Sequence, residues 1–275
     1  MSMKITSDIG IVAERPLYFK DNIATAGGAV SGAATTVGAT NLGKDWLFAE
    51  GNTGKNYQEN LVLANFTANP TTAQVNLEYN NGQVQTVPVV VNAYSQVYFD
   101  VNAHRAQFPQ STNDVAAAVH DDDGAIVVER MSYFNVADSA GGPAKNISGA
   151  LDAIGEASVA GHTAYSFAEG YTAGYDTEFL TMLNQTANKV HVAVTVYADN
   201  TVVQKIVELP AHTRSTMSIS GIVEPLAKAY PVSGAHNVSM SVQALDGTVV
   251  AERVFYFLPD STKHGATSMF GYTGN

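Results

Sequence analysis

The sequence predicts an all-β fold made of two tandem immunoglobulin-like or jelly-roll-like β-sandwiches with an extra terminal strand segment. Three observations predict it. Apolar and polar residues alternate with a period of two in many short runs, tight-turn dipeptides separate those runs, and two signature segments recur along the chain. In the composition, 45% of residues are apolar and only 14% charged, so Thr, Ser, Asn and Gln fill the polar positions, as suits solvated strand faces. With 13 Tyr, 11 Phe and frequent Val, the chain has the material for a sizeable core.

The strands can be read in order. Ala73, Val75, Leu77 and Tyr79 alternate with Gln74, Asn76 and Glu78, Asn80-Asn81-Gly82 turns the chain, and Val84 resumes. Val190, Val192, Val194 and Val196 repeat the pattern against His191, Ala193 and Thr195, turning at Asp199-Asn200. Later, Val115 to Val119 and Val238 to Val242 run into Asp123-Gly124 and Asp246-Gly247, dipeptides suited to a type I′ turn. Phe108-Pro109 and Ala229-Tyr230-Pro231 lie between the hairpins, and Glu224 to Ala229 predicts one helical turn. The Gly/Ala/Ser/Thr-rich stretches Ala24 to Gly43 and Ser139 to Gly161 read as loops or irregular edge strands. About seven short strands in each unit is a sandwich pattern.

Self-comparison gives the units. Phe48-Ala49-Glu50-Gly51 returns as Phe167-Ala168-Glu169-Gly170, with Glu59 and Asn65 answered by Glu178 and Asn184. Glu14-Arg15 with Tyr18-Phe19 returns as Glu129-Arg130 with Tyr133-Phe134 and again as Glu252-Arg253 with Tyr256-Phe257. A glycine pair follows each: Gly32 and Gly38, Gly149 and Gly155, Gly265 and Gly271. Two copies of one signature against three of the other give a spare N-terminal segment, 1–43, then one unit over 44–158 and another over 159–275.

At these segments the chain resembles tandem modules of large secreted and surface proteins of bacteria. Those units open Trp-Tyr-Phe-Ala-Glu-Gly, continue through Leu-Asn-Pro and close on Val-Ala-Glu-Arg and an aromatic pair. Asp45-Trp46-Leu47-Phe48-Ala49-Glu50-Gly51 and Val12-Ala13-Glu14-Arg15-Pro16-Leu17-Tyr18-Phe19 fit well, and the match runs from about Asp8 to the end. The second unit departs from it, with Tyr165 near the Trp position and Asn184-Gln185 in place of Asn-Pro. The resemblance implies an extracellular or cell-surface β-sandwich with a scaffolding or adhesive role, and it brings no catalytic residues.

Chemistry is sparse. The net charge of −11 and the scattered 14 Lys and Arg argue against nucleic acid as a partner. No run is long and apolar enough for a membrane span, and Met1 to Gly10 lacks the apolar core of a signal peptide, so an export signal would lie outside this chain. There is no Cys, no nucleophile elbow and no phosphate loop, and the seven His show no ligand spacing, so no cofactor is expected. Asp121, Asp122 and Asp123 form a weak calcium candidate, read mainly as a solvated hairpin tip. Asn65, Asn146, Asn184 and Asn237 begin Asn-x-Ser/Thr triplets, read as turns rather than glycan acceptors.

Glu50 with Glu59, and Glu169 with Glu178, are the recurring carboxylate pairs that a glycosidase would need. Recurrence points instead to structure, because every copy of a fold needs its own ion pair. Glu50 is expected to face Arg130, and Glu169 to face Arg253, with Arg15 the matching residue of the spare segment. The expected role is a non-enzymatic structural or adhesive module, with head-to-tail assembly into filaments by strand addition as its route to self-association. The alternative is a carbohydrate-binding module that recognises surface glycans through aromatics such as Tyr94, Tyr98 and Phe99.

Overall fold

A computed structural model describes residues 2–107, 112–137, 146–173, 177–227, 235–260 and 263–274. The described residues are nearly all β, in antiparallel sheets of which none closes into a barrel, a sandwich-type fold. The elements are β1 (Glu14–Ile23), β2 (Gly28–Val37), β3 (Asp45–Phe48), β4 (Tyr57–Asn65), β5 (Thr71–Glu78), β6 (Val84–Val91), β7 (Gln96–Asp100), α1 (Val101–Ala106), β8 (Ala116–His120), β9 (Ile126–Ala137) and β10 (Asn146–Ile154). The second half runs β11 (Ala164–Phe167), β12 (Tyr171–Ala173), β13 (Thr177–Asn184), β14 (Val190–Ala198), β15 (Thr201–Leu209), β16 (Thr213–Ser218), α2 (Ser220–Ala227), β17 (Ala235–Ala244), β18 (Val250–Asp260) and β19 (Lys263–Phe270).

The two halves share one topology. Sheet order β3-β8-β5-β6 faces β10-β9-β4-β7 in the first, and β11-β17-β14-β15 faces β16-β13-β18-β19 in the second, where β12 adds to β17. Each sandwich encloses its own core. In the first, Trp46, Phe48, Leu61, Leu63, Val75, Leu77 and Val128 interdigitate; in the second, Tyr165, Phe167, Leu180, Met182, Val192, Val194 and Ala251 do so. These are the inward positions of the alternating runs, so the period-two pattern chose the right face.

The small-residue stretches within 24–43 and 139–161, read as loops or irregular edge strands, contain edge strands of regular register, β2 and β10, each paired with the Glu-Arg strand before it. Their smallness serves packing. Gly32 lies across from Phe19 and Gly149 across from Phe134, and a Cβ on either would sit 3.1 Å from the tip of that phenyl ring. The ring lies over the bare glycine, which substitutes for a side chain in that row. The sequence also missed α1, a short helix capped by the Asp100 side chain on Ala103 N–H at 2.9 Å. The expected helical turn begins earlier than read, as α2, while Phe108-Pro109 and Ala229-Tyr230-Pro231 lie outside the described residues.

The spare segment is no unpaired strand. β1 and β2 pair as a two-stranded hairpin, equivalent to β9–β10 and β18–β19, the hairpins that end the two sandwiches. The three hairpins stack face to face: β2 packs on β10, and β10 packs on β19.

Candidate functional site

The recurring charges occupy two kinds of place, one inside each unit and one between units. Inside the first, Glu59 on β4 is buried and its carboxylate accepts a hydrogen bond from Asn52 N–H at 2.8 Å. Inside the second, Glu178 on β13 accepts from Tyr171 N–H at 3.1 Å. The glycine that closes each Phe-Ala-Glu-Gly segment makes room for this: a Cβ on Gly51 would meet the Glu59 oxygens at 2.7 Å, and one on Gly170 the Glu178 oxygens at 2.5 Å. The signature glycine and the glutamate nine residues after its neighbour are therefore one device, a carboxylate that fixes the chain as it leaves the edge strand. Burial pushes the Glu59 carboxyl up to about 8 and the Glu178 carboxyl up to about 7, the latter despite Arg253 nearby.

Between units, the Glu-Arg dipeptides engage one another in sequence. Neighbouring residues of a strand point to opposite faces, so a Glu cannot meet the Arg beside it and each is free for a different hairpin. Arg15 pairs with Glu129, and donates to Asp152 at 2.9 Å. Arg130 pairs with Glu252 through two bonds, Nη1 to Oε2 at 3.0 Å and Nη2 to Oε1 at 2.5 Å, with both side chains fully buried. Arg130 also donates to the Glu50 carbonyl at 2.6 Å and to Ser268 Oγ at 3.0 Å. Burial opposes the Glu252 charge, but Arg130, Ser268 and the Glu50 N–H together hold its carboxyl below the ordinary range.

The expected Glu50–Arg130 pairing is thus corrected. Arg130 meets the backbone of Glu50, while the Glu50 side chain pairs at 3.1 Å with Arg214 of β16, which also bonds Ala49 O and pairs with Asp114. The three Arg214 contacts cross from the first unit to the second, whereas that of Arg130 with the Glu50 carbonyl stays within the first. Glu169 does face Arg253, Nη1 to Oε2 at 3.0 Å, with its side chain 70% exposed.

The aromatic pair after each Glu-Arg follows the same rule. Phe19 packs edge-on against Tyr133 with centroids 5.4 Å apart, and Phe134 packs against Tyr256 at the same 5.4 Å. Around the second contact, Phe134, Ile147, Leu151 and Val254 form a small core. Leu47, Ala49, Ala116 and Ala118 of the first unit form another with Leu183 and Val250 of the second, and Phe270 of β19 packs against it. In the two hairpins that end the sandwiches the second glycine receives the edge strand of its own unit: a Cβ on Gly155 would lie 2.7 Å from the Phe48 ring and one on Gly271 2.9 Å from the Phe167 ring, whereas one on Gly38 would meet nothing within 4 Å.

The remaining candidates disperse. Asp121 is buried and closes its own hairpin, accepting from Ala125 N–H at 2.7 Å and from Thr71 Oγ1; Asp123 also accepts from Thr71 Oγ1, and Asp122 points to solvent beside His120. Among the described residues no three potential metal ligands converge. Asn65 and Asn184 are buried Asx-turn residues: each Oδ1 accepts from the N–H and hydroxyl of the Thr two residues on, Thr67 or Thr186. Their amides bond main-chain carbonyls, Asn69 and Val91 in one case, Asn188, Leu209 and Pro210 in the other. Tyr94 and Tyr98 are exposed whereas Phe99 is core.

No protein-family model matches the chain, and no curated protein sequence matches it. Among solved structures it is similar to a Thermotoga maritima protein, the crystal structure of T. maritima 1070, at 13% identity and a TM-score of 0.33, over 41% of this chain and 94% of that one. It is also similar to the Anabaena sensory rhodopsin transducer at 22% identity and a TM-score of 0.27, over 33% of this chain and 92% of that one.

Proposed function

We propose that the chain is a non-enzymatic structural module of an exported or cell-surface protein, whose units are locked in line by buried clasps. The observation that carries this reading is the fully buried Arg130–Glu252 pair between the two sandwiches. A flexible tether between domains leaves a small polar interface, whereas here a desolvated ion pair, an aromatic contact and an apolar seam join the units. The recurring carboxylates a glycosidase would use are tied to backbone N–H groups, to Arg214 or to Arg253, which favours the structural reading over catalysis.

The alternative, a carbohydrate-binding module, draws support from Tyr94 and Tyr98, exposed on either side of Gln96, whose amide donates to the Tyr98 hydroxyl at 3.3 Å. Flat rings flanking an amide suit a sugar face.

Small-angle scattering tests the structural reading. A rigid pair gives one narrow intraparticle distance distribution, unchanged by salt, and Glu252→Gln broadens it. A wild-type distribution already as broad as that of two beads on a string would sink the proposal. Binding of a glycan that Tyr94→Ala and Tyr98→Ala abolish would move the assignment to the alternative.

A further inference from the structure

Each hairpin offers its Arg and Phe to the next and its Glu and Tyr to the one before, so among the described residues one half of each contact is left unmatched. On the N-terminal hairpin the outward face is open: Tyr18 is 79% exposed, and Glu14, Val12 and Val37 are exposed too. Their counterparts in the second unit are Tyr256, Glu252, Val250 and Phe270, which the first unit covers or packs against. At the other end lies Arg253, 2% exposed and poorly matched. Where Arg130 holds a carboxylate with two bonds, Arg253 holds one bond to Glu169, a 3.8 Å approach to Glu178 and a contact from Nη2 to the Met269 sulfur at 3.2 Å. Phe257, the partner that would meet a following Tyr, packs within its own hairpin on Phe255.

We infer that the Arg253–Phe257 face of one molecule docks the Glu14–Tyr18 face of a second copy, repeating between chains the contact that Arg130 and Phe134 make within one. This rests on the structural reading and names its partner. Face stacking is favoured over the strand addition expected from the sequence, because β1 already has its hairpin partner in β2 and the contacts that join one hairpin to the next within the chain are side-chain contacts between faces. The contact is heterologous and leaves a free copy of each face at the ends, so it propagates. Glu169 stands where an incoming Glu14 belongs, an internal carboxylate that holds Arg253 until it is displaced.

The contact is weaker than the one inside the chain. The seam residues Leu47, Ala116 and Ala118 correspond in the second unit to Ser166, Ser239 and Ser241, by the matching registers of β3 with β8 and β11 with β17. An apolar seam is absent there, so stacking and the ion pair carry the association, and salt weakens it.

Sedimentation velocity on the full chain, at concentrations up to about 0.5 mM because weak interfaces need them, tests this. The wild type is expected to associate with concentration and less so in high salt. Glu14→Arg combined with Tyr18→Asp, both on the open face, removes association without touching either sandwich. Glu169→Gln, which discharges the stand-in carboxylate, strengthens association at least several-fold. Mixing Glu14→Arg with Arg253→Glu restores association that neither shows alone; if Arg253→Glu misfolds by circular dichroism, the Glu14 and Glu169 variants decide the matter. A wild type that stays monomeric, or association indifferent to Glu14 and Glu169, overturns the inference. Neither result touches the rigid coupling of units, which is read from the monomer's scattering.

Discussion

Arg130→Ala should cost about 3 to 5 kcal/mol, the usual cost of orphaning one member of a buried ion pair. The structure places it in that range because the guanidinium is fully buried, makes four hydrogen bonds to Glu252, Ser268 and the Glu50 carbonyl, and lies 5.7 Å from the Phe48 ring. Its removal leaves the Glu252 carboxylate in an apolar seam with only Ser268 and the Glu50 N–H as donors. That carboxyl must then take up a proton, so the variant regains part of its loss as pH falls, whereas the wild-type pair loses stability at low pH as Glu252 protonates. The chain supplies its own reporter. Trp46, its one tryptophan, is buried in the core of the first unit, so fluorescence follows that unit alone while circular dichroism follows both. In urea, wild type should give coincident curves by the two probes, and Arg130→Ala should separate them. Replacing Arg130 and Glu252 together with Met should recover most of the loss, since no charge is stranded. A loss under about 1 kcal/mol, or curves that stay coincident after a large loss, would refute the clasp.

Other consequences follow from the same geometry. Glu59 and Asp152 are raised to about 8, and Glu78, Glu156 and Glu178 to about 7, against ordinary values near 4, so the folded chain holds protons that the unfolded chain has released. Stability should therefore fall as pH rises from about 4.5 to 8, and Glu59→Gln, which keeps an acceptor for Asn52 N–H, should flatten that decline in melts at several pH values. A fall in melting temperature toward acid across the same window would contradict it. Gly170→Ala should cost about 1 to 3 kcal/mol, because its methyl needs the space of the Glu178 carboxylate; a neutral result by denaturation would mean the carboxylate can retreat. Asn184→Ala should cost about 2 to 3 kcal/mol by stranding the carbonyls of Asn188, Leu209 and Pro210, more than the exposed Asn81→Ala in parallel melts.

The fold was legible because alternation and turn chemistry are local: Val75 against Gln74, or Asn81-Gly82, declares itself within a few residues. The repeat told which charges mattered, and the Glu169–Arg253 contact was read correctly. Arg130 takes Glu252 rather than Glu50 because its carboxylate partner comes from the next unit, which a pairing confined to one repeat does not reach. A signal for a pairing between units is present, since Glu129 and Arg130 point to opposite faces of β9 and so meet different neighbours; the direction, each Arg to the next Glu, comes from the structure. Arg214 was out of reach of any such reasoning, for its contact with Glu50 joins β16 to the exit of β3 with nothing in the sequence pattern to relate them. The glycine-rich stretches left loop and edge strand both open for a physical reason. Small residues usually mark loops, but here they make room for the tip of a phenyl ring from the paired strand.

Placing acid and base on opposite sides of one strand makes the clasp a grammar with direction. Any unit added to the row brings one complete acid and one complete base, facing opposite ways, so lengthening or shortening the row by whole units needs no new partner residue anywhere. A unit inserted backwards would set Arg against Arg and Glu against Glu. The row can therefore change in length by duplication or loss and keep its orientation, with the same two faces always left at its ends.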